Sequence, residues 1–122
     1  MASSIDGKVP KVVHGTQSAS ETAQTPGMER RPAIHKASAG ASKIWFGTVT
    51  SSPNHKGPPH HHGEAETAAY IVSGHVRVHY GKNFEESVEA GPGDYLFVPV
   101  NTWHIEENPY DETSEQFLAR GP

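Results

Sequence analysis

A run of three histidines in the stretch GPPHHHGEAETAAYIVSG is the feature of this sequence that points most directly to chemistry. Neutral imidazole is the commonest metal ligand that proteins supply. Because alternate residues of a strand share a face, His60 and His62 would point one way and His61 the other. Two acidic residues, Glu64 and Glu66, follow closely. The pattern indicates a metal site built on His60 and His62, although a histidine-rich surface loop would look the same locally.

A second stretch, GDYLFVPVNTWHIEEN, could bring a third imidazole to the same place. A turn at Gly93 leads into a strand of the buried type, and Pro99 and Asn101 mark a tight corner. The strand that returns from this corner would present His104 to the interior. Because this stretch is independent of the histidine run, it favours a metal site over a surface loop.

Two charged pairs in the sequence could take part in the chemistry. Glu106 and Glu107 follow His104, and strand alternation would turn one of them inward and the other outward. An inward carboxylate there could act as a general base. Arg30 and Arg31 could anchor an anionic substrate, but we favour a solvated position on an edge strand.

Composition limits the classes of protein to consider. The 122 residues suit one domain, and the formal charge of −4 with no basic stripe argues against nucleic acid as a partner. Without cysteine, a metal site must use histidine, carboxylate or neutral oxygen ligands. The sequence has no apolar run of membrane-spanning length, and its N-terminus lacks the apolar core of a signal peptide. A cytoplasmic protein without a membrane partner is therefore expected.

Short strands must position the candidate ligands. In HVRVHY, Val76, Val78 and Tyr80 would share one face while the polar residues between them face the other way. Turn residues separate the strand-like segments, and no segment has a convincing helical period. The sequence predicts an all-β barrel or sandwich. The segments expected to form strands are SKIWFGTVT, TAAYIVSG, HVRVHYG, FEESVEA, YLFVPV, TWHIEEN and SEQFLAR.

Residues 1–40 are expected to form an N-terminal arm and edge strand, and residues 41–120 the barrel domain. The segment KVPKVVHG could make a short edge strand around Val12 and Val13. The segment TQSASETAQTPGM is typical of an extended arm, packed on its own barrel or on a partner, or of disorder.

Both histidine-containing stretches resemble the two motifs of the cupin family. The second motif has the form G-x5-P-x-G-x2-H-x3-N, and it matches at Gly93, Pro99, His104 and Asn108. Asn101 stands at the central glycine, and asparagine tolerates the left-handed backbone that a tight turn needs.

The first motif, G-x5-H-x-H-x3or4-E-x6-G, is matched less completely. Asn54 stands at its opening glycine, and counting back from the closing glycine places Thr67 where a glutamate is usual. Glu66 stands one residue earlier, at the shorter of the two allowed distances. The positions that match are His60, His62 and Gly74.

The resemblance to a small single-domain cupin implies a double-stranded β-helix, or jelly-roll, barrel with one divalent metal ion per chain in its mouth. It carries His60, His62 and His104 over as ligands. If a bulge shifts the strand, Glu66 completes the set. If the register follows the closing glycine, Thr67 points inward and water or another donor is the fourth ligand.

Four residues are expected around the ligands, as hydrogen-bonding partners or lining the pocket. Glu64 would lie on a turn and could accept a hydrogen bond from a ligand imidazole. Trp103 is expected to lie in the core, and the alternative is that its ring forms a surface on which a substrate stacks. His61 is expected to face solvent. The four expected partners and pocket residues are Glu64, Thr67, Trp103 and Asn108.

The first hypothesis for such an imidazole-rich metal site is an enzyme acting on a small oxygen-rich molecule, such as a β-dicarbonyl or a carboxylate. A redox metal on three histidines would suit a dioxygenase, whereas Lewis-acid use of the metal would suit a lyase, isomerase or cyclase. Manganese, iron, nickel and zinc all fit such ligands. The alternative is a non-catalytic barrel that binds or senses a small ligand and holds a structural metal. A sandwich with chance histidines would require both motif spacings to be coincidental.

A homodimer is expected, because small cupins usually bury a sheet edge and face against a partner. The N-terminal arm could reach across such an interface.

Overall fold

The computed structural model describes residues 9–15 and 26–121. Each of the seven segments expected to form a strand contains one, which confirms the all-β class. The strands are β1 Met28–Ile34, β2 Trp45–Ser51, β3 His55–Lys56, β4 Glu66–Ser73, β5 Val76–Tyr80, β6 Glu86–Ala90, β7 Tyr95–Val98, β8 Ile105–Asn108 and β9 Ser114–Gly121. A single-turn helix, α1, spans Lys36–Ala39, and a 3₁₀ turn spans Lys82–Phe84.

The strands form two sheets that face each other. The larger sheet has the order β1-β2-β9-β4-β7, and the smaller has the order β3-β8-β5-β6. All pairs are antiparallel. From β6 to β9, consecutive strands alternate between the sheets, so the chain crosses the barrel repeatedly. This is the jelly-roll arrangement that the resemblance to cupins implied.

The core lies between the inner faces of the two sheets. Strand alternation builds it: Val76 and Val78 on β5 are buried, and the residues between them are partly exposed. Ile71, only 1% exposed, packs with these valines. A second cluster joins Met28, Val49 and Leu118 at the other end of the larger sheet. Full burial of each such side chain stabilises the fold by about 1.5–3 kcal/mol.

The edge strand of the larger sheet is β1, paired with β2. It does not lie around Val12 and Val13, because residues 9–14 form no strand and Val12 is 79% exposed. Gly47 permits the close pairing of β1 with β2, since a Cβ atom there would lie 2.2 Å from the backbone oxygen of Arg31. Most of the segment TQSASETAQTPGM, interpreted from sequence as an arm, lies outside the described residues.

Two asparagines form the corners where the cupin motifs have glycine. Asn54 and Asn101 have φ angles of 55° and 51°, in the left-handed region that asparagine tolerates. The Asn101 amide donates to the carbonyl of Gly63 at 2.6 Å. This bond ties the corner before His104 to the turn after the histidine run. No helix within the described ranges has the length and apolar character needed to span a membrane.

Candidate metal centre

Three imidazoles converge at one end of the barrel because their backbones are paired. His60 and His104 form a two-residue antiparallel bridge, in which each amide donates to the other's carbonyl at 2.9 Å. His62 follows two residues later and turns to the same side. The ring centroids of His60 and His104 are 4.3 Å apart, and each lies 5.1 Å from that of His62.

A carboxylate completes the cluster, and it is that of Glu106. Because Glu106 lies two residues after His104, strand alternation points it to the same interior face. Its Oε2 atom lies 3.4 Å from Nε2 of His60 and 3.5 Å from Nε2 of His104. One candidate ligand atom from each of His60, His62, His104 and Glu106 lies within 4.8 Å of the other three.

The hydrogen bonds of the imidazoles leave their Nε2 atoms for a metal. Nδ1 of His60 lies 3.1 Å from the carbonyl of Pro58, and Nδ1 of His104 lies 2.8 Å from that of Thr102. Such contacts fix the tautomer with a lone pair on Nε2. Among the described residues, both Nε2 atoms are buried without a hydrogen-bond partner. Two ligands about 2.1 Å from one ion at a tetrahedral angle would lie about 3.4 Å apart, so the cluster fits a divalent metal.

Glu106 and His60 stabilise each other's charged forms. Burial alone would raise the pKa of the Glu106 carboxyl, but its contacts with His104 and His60 outweigh burial and hold that pKa well below its usual range. The same carboxylate raises the pKa of His60 against the opposing effect of burial. An ionised carboxylate among imidazoles is the donor set that a divalent cation requires.

His62 occupies the opposite electrostatic environment. Burial and, to a lesser extent, the positive charge of Arg120 lower the pKa of His62 to about 4. Nδ1 of His62 lies 2.8 Å from Oγ1 of Thr67, while Nη2 of Arg120 lies 3.4 Å from Nε2 of His62. His62 is therefore neutral at physiological pH and has a lone pair to offer.

The depressed pKa of His62 predicts a pH dependence of folding. Because the folded pKa is about 4 against an ordinary 6.5, the unfolded state binds the proton more tightly between these values. This contribution to stability is complete above about pH 6.5 and is lost as the pH falls towards about 4. Solvent screening at a half-exposed ring limits the loss to the order of 1 kcal/mol. We expect metal-free His62→Gln to lose less free energy of unfolding than wild type over this range.

Urea denaturation at about pH 7 and about pH 5 measures this difference. The His61→Gln variant is the matched control, since His61 is exposed and lies one residue away. Equal losses in wild type and His62→Gln would contradict the assignment.

The structure brings some of the expected partners to the site and leaves others outside. Glu66 does not join the cluster: it is exposed, whereas the next residue, Thr67, is only 4% exposed and points inward. The expectation that the Glu66 carboxylate could be the fourth ligand is therefore corrected, because no bulge shifts this part of β4. Thr67 supports His62 through the hydrogen bond described above. Glu64 is exposed on the turn after the histidine run.

Trp103 and Asn108 lie outside the ligand cluster. Trp103 is 57% exposed and contacts the ring of His61 edge-on at 4.5 Å, so it is not part of the core. Asn108 is 2% exposed, and its amide donates to the carbonyls of Ser52 and Glu112. It ties two loops together, and none of its side-chain hydrogen bonds within the described residues reaches a candidate ligand.

The charged pairs divide as strand alternation requires. Glu107 faces away from the cluster and lies 2.7 Å from Nε2 of His79, while Glu106 faces inward. Arg31 is exposed and pairs with Glu29, as expected for an edge strand. Arg30 is partly buried, and its charge lowers the pKa of His60 slightly.

An apolar cavity of about 260 Å³ adjoins the cluster. His104 lines it and also belongs to the ligand set, so a bound molecule would lie beside the candidate metal. The remaining lining includes the hydroxyl-bearing residues Tyr80 and Thr102, and the other residues are apolar: Val78, Val88, Leu96, Phe97, Val98 and Pro99. The small volume and apolar lining suit a small organic molecule rather than a polymer.

Sequence reasoning missed Arg120, which ends the set of inward side chains on β9. Ser114, Gln116 and Leu118 on this strand are all buried, so the next alternate residue must also turn inward. That periodicity was available in the sequence, but a terminal arginine carries no motif of its own.

Solved structures with the same fold include several small barrels. The polyketide cyclase RemF from Streptomyces resistomycificus is 26% identical, with a TM-score of 0.75 over 93% of this chain and 80% of its own. KdgF from a Halomonas species is 18% identical, with a TM-score of 0.70 over 93% of this chain and 96% of KdgF. A "predicted oxalate decarboxylase" from Thermotoga maritima is 19% identical, with a TM-score of 0.72 over 91% of this chain and 98% of that protein.

No match was found among curated protein sequences. The family model described as "Cupin domain" matches residues 47–118, which include His60, His62, His104 and Glu106. More than half of the sequence is matched, and the barrel topology agrees with the solved structures. The chain belongs to the cupin family.

Proposed function

We propose that this protein is a metal-dependent enzyme that activates a carbonyl group of a small oxygen-rich molecule, in cyclase- or lyase-type chemistry. The observation that carries the proposal is that His104 belongs both to the four-residue donor cluster and to the wall of the apolar cavity. His60, His62, His104 and Glu106 would hold the ion. When bound, the ion would supply Lewis acidity to a carbonyl or enolate oxygen.

The residues around the cluster would bind the substrate, exclude water and hold the ligand imidazoles in position. Val78, Leu96 and Val98 would exclude water from the cavity and receive the apolar part of the molecule. The carbonyls that hold Nδ1 of His60 and His104 would keep those rings in place. The likeness to the cyclase RemF, at 26% identity, favours non-redox carbonyl chemistry over a dioxygenase reaction.

The proposal can be tested on chelator-treated protein reloaded separately with zinc, manganese, nickel or iron. A β-keto ester in D₂O without oxygen should exchange the hydrogens between its carbonyls faster than in buffer. Metal-free protein and His104→Ala should show only the buffer rate. In a parallel assay in air, oxygen uptake by the iron-loaded protein, together with no exchange in the oxygen-free assay, would instead favour a dioxygenase. Binding of the ester without either reaction would contradict catalysis and favour a ligand-binding barrel.

We also propose a homodimer formed through the outer face of the larger sheet. Aromatic side chains line a groove of about 510 Å³ there that contains no charged residue. Monomers rarely leave such a patch exposed. A second copy fits it, because a twofold interface places the same uncharged surface on itself and brings no like charges together. The aromatic residues of this face are Phe46, Tyr70, Tyr95, Phe97 and Phe117.

Phe117→Glu is expected to convert the dimer to a monomer. Phe117 is stacked on Phe46 at a centroid distance of 6.1 Å, so a glutamate would put two like charges into the centre of the interface. We expect dimer affinity to fall at least about 100-fold. Light scattering should give twice the 13.2 kDa chain mass for wild type and the single mass for the variant. Val88→Glu, on the smaller sheet, is the control and should stay dimeric; a dimeric Phe117→Glu would place the interface elsewhere.

A further inference from the structure

A guanidinium group lies directly beside the ligand cluster. Arg120 Nη2 is 3.4 Å from Nε2 of His62, and Arg120 Nε donates to Oγ1 of Thr67 at 3.2 Å. The side chain is partly buried. Within the described part of the chain, no carboxylate lies within ion-pair distance of Arg120, whereas Arg31 and Arg77 each have one.

A second positive charge lies on the same inner face. Arg30 alternates with Met28 and Pro32, both buried, and its guanidinium contacts the sulfur of Met28 at 3.5 Å. Burial lowers the pKa of Arg120, and the charge of Arg30 lowers it further. Two like charges near a partly desolvated position are costly unless an anion lies near them. Glu106 is the acidic group whose charge opposes this effect, and it belongs to the metal cluster.

A metal ion and Arg120 would compete for one lone pair. Nδ1 of His62 is already in contact with Thr67, so Nε2 is the atom left for a metal. Arg120 Nη2 is directed at that same atom. An imidazole nitrogen that donates its lone pair to a metal cannot also accept a hydrogen bond. Once a metal is held, Arg120 therefore has an N–H group without its present acceptor, next to the ion.

We propose that Arg120, supported by the charge of Arg30, binds a carboxylate of the substrate beside the metal centre. The substrate class is then a small molecule with a carbonyl oxygen and a carboxylate close together. This inference rests on the proposed function, since it takes the cluster to hold a metal. It deepens that function by naming the group that would hold the carboxylate on the His62 side of the metal centre.

Salicylate and salicylamide are matched probes, because they share an aromatic ring and a hydroxyl and differ in the carboxylate. The protein is first loaded with the divalent ion that it holds at one per chain. Wild type should bind salicylate about tenfold more tightly than salicylamide, the size of one charge-assisted hydrogen bond. Arg120→Gln should reduce that preference to less than about twofold, and Arg120→Lys should give an intermediate value because it keeps the charge without the planar fork.

The metal affinity of Arg120→Gln is a second measurement, and it should change in the opposite direction from the preference for salicylate. Removing the guanidinium removes a competitor for His62 Nε2 and a nearby positive charge, so Arg120→Gln should bind the ion more tightly, by up to about tenfold. A merely structural role for Arg120 would lower the affinities for metal and salicylate together. Arg31→Gln is the control, since Arg31 lies on the outer face of β1, and it should behave as wild type.

The outcomes separate the two proposals. Protein that holds the metal but shows no preference for salicylate overturns the role of Arg120 alone. A preference that persists in Arg120→Gln also overturns it. Failure of the wild type to hold any divalent ion overturns the proposed function and this inference together.

Discussion

Chelator-treated protein reloaded with a divalent metal is expected to hold about one ion per chain, and His104→Ala is expected to bind it at least about 100-fold more weakly. Losing a residue that only supports a ligand costs about 10–100-fold in metal affinity, so losing a ligand should cost at least as much. His104 is fully buried, and its Nε2 atom has no hydrogen-bond partner among the described residues. Elemental analysis and the metal-induced rise in melting temperature both report the change.

Two further variants make this result interpretable. His104→Gln preserves more of the side-chain volume, so it separates loss of the ligand from collapse of a cavity. His79→Ala removes an imidazole that pairs with Glu107 on the outer side and should keep full metal binding. If the His104→Gln protein still holds one ion per chain, the ion binds at another place in the protein.

The second large effect is expected at Glu106. Glu106→Gln should weaken metal binding about 100-fold, because it removes the only carboxylate that the described residues place in the cluster. Glu66→Gln should change the affinity by less than about twofold, because Glu66 is exposed on the opposite face of β4 from Thr67. The two substitutions are chemically identical, so each is the control for the other. Isothermal titration with a chelator as competitor measures both.

The reverse order of effects would contradict the structure and restore the glutamate of the first motif as a ligand. Equal and small effects would show that three imidazoles suffice.

The strands could be predicted from the sequence because they depend on local periodicity. In HVRVHYG, a period of two identifies the buried face without knowledge of any partner strand. His60, His62 and His104 were brought together by the resemblance to the two cupin motifs, since local periodicity does not relate positions so far apart in the sequence. Counting back from Gly74 also placed Thr67 inward, and this register is the one the structure has.

The fourth donor could not be decided in the same way. Glu66 and Glu106 are both near ligand histidines in sequence, and choosing between them requires the register of β4 against its neighbours. The simpler signal was His104-x-Glu106, which repeats the spacing of His60-x-His62 on one strand face. Periodicity along β9 was enough to turn Arg120 inward, but its place beside His62 depends on pairing with Thr67, 53 residues away, and the sequence does not give that pairing.

The two-way backbone bridge between His60 and His104 has a consequence for how the protein would take up a metal ion. Main-chain hydrogen bonds, rather than the ion, hold these two imidazoles at their separation. We therefore expect the four-residue cluster to keep its arrangement without a metal ion, unlike domains that fold only around a metal and unfold when it is chelated. An ion could then leave and be replaced without refolding. The metals available in the cell would then decide which metal the protein carries. The same chain could carry different metals under different growth conditions.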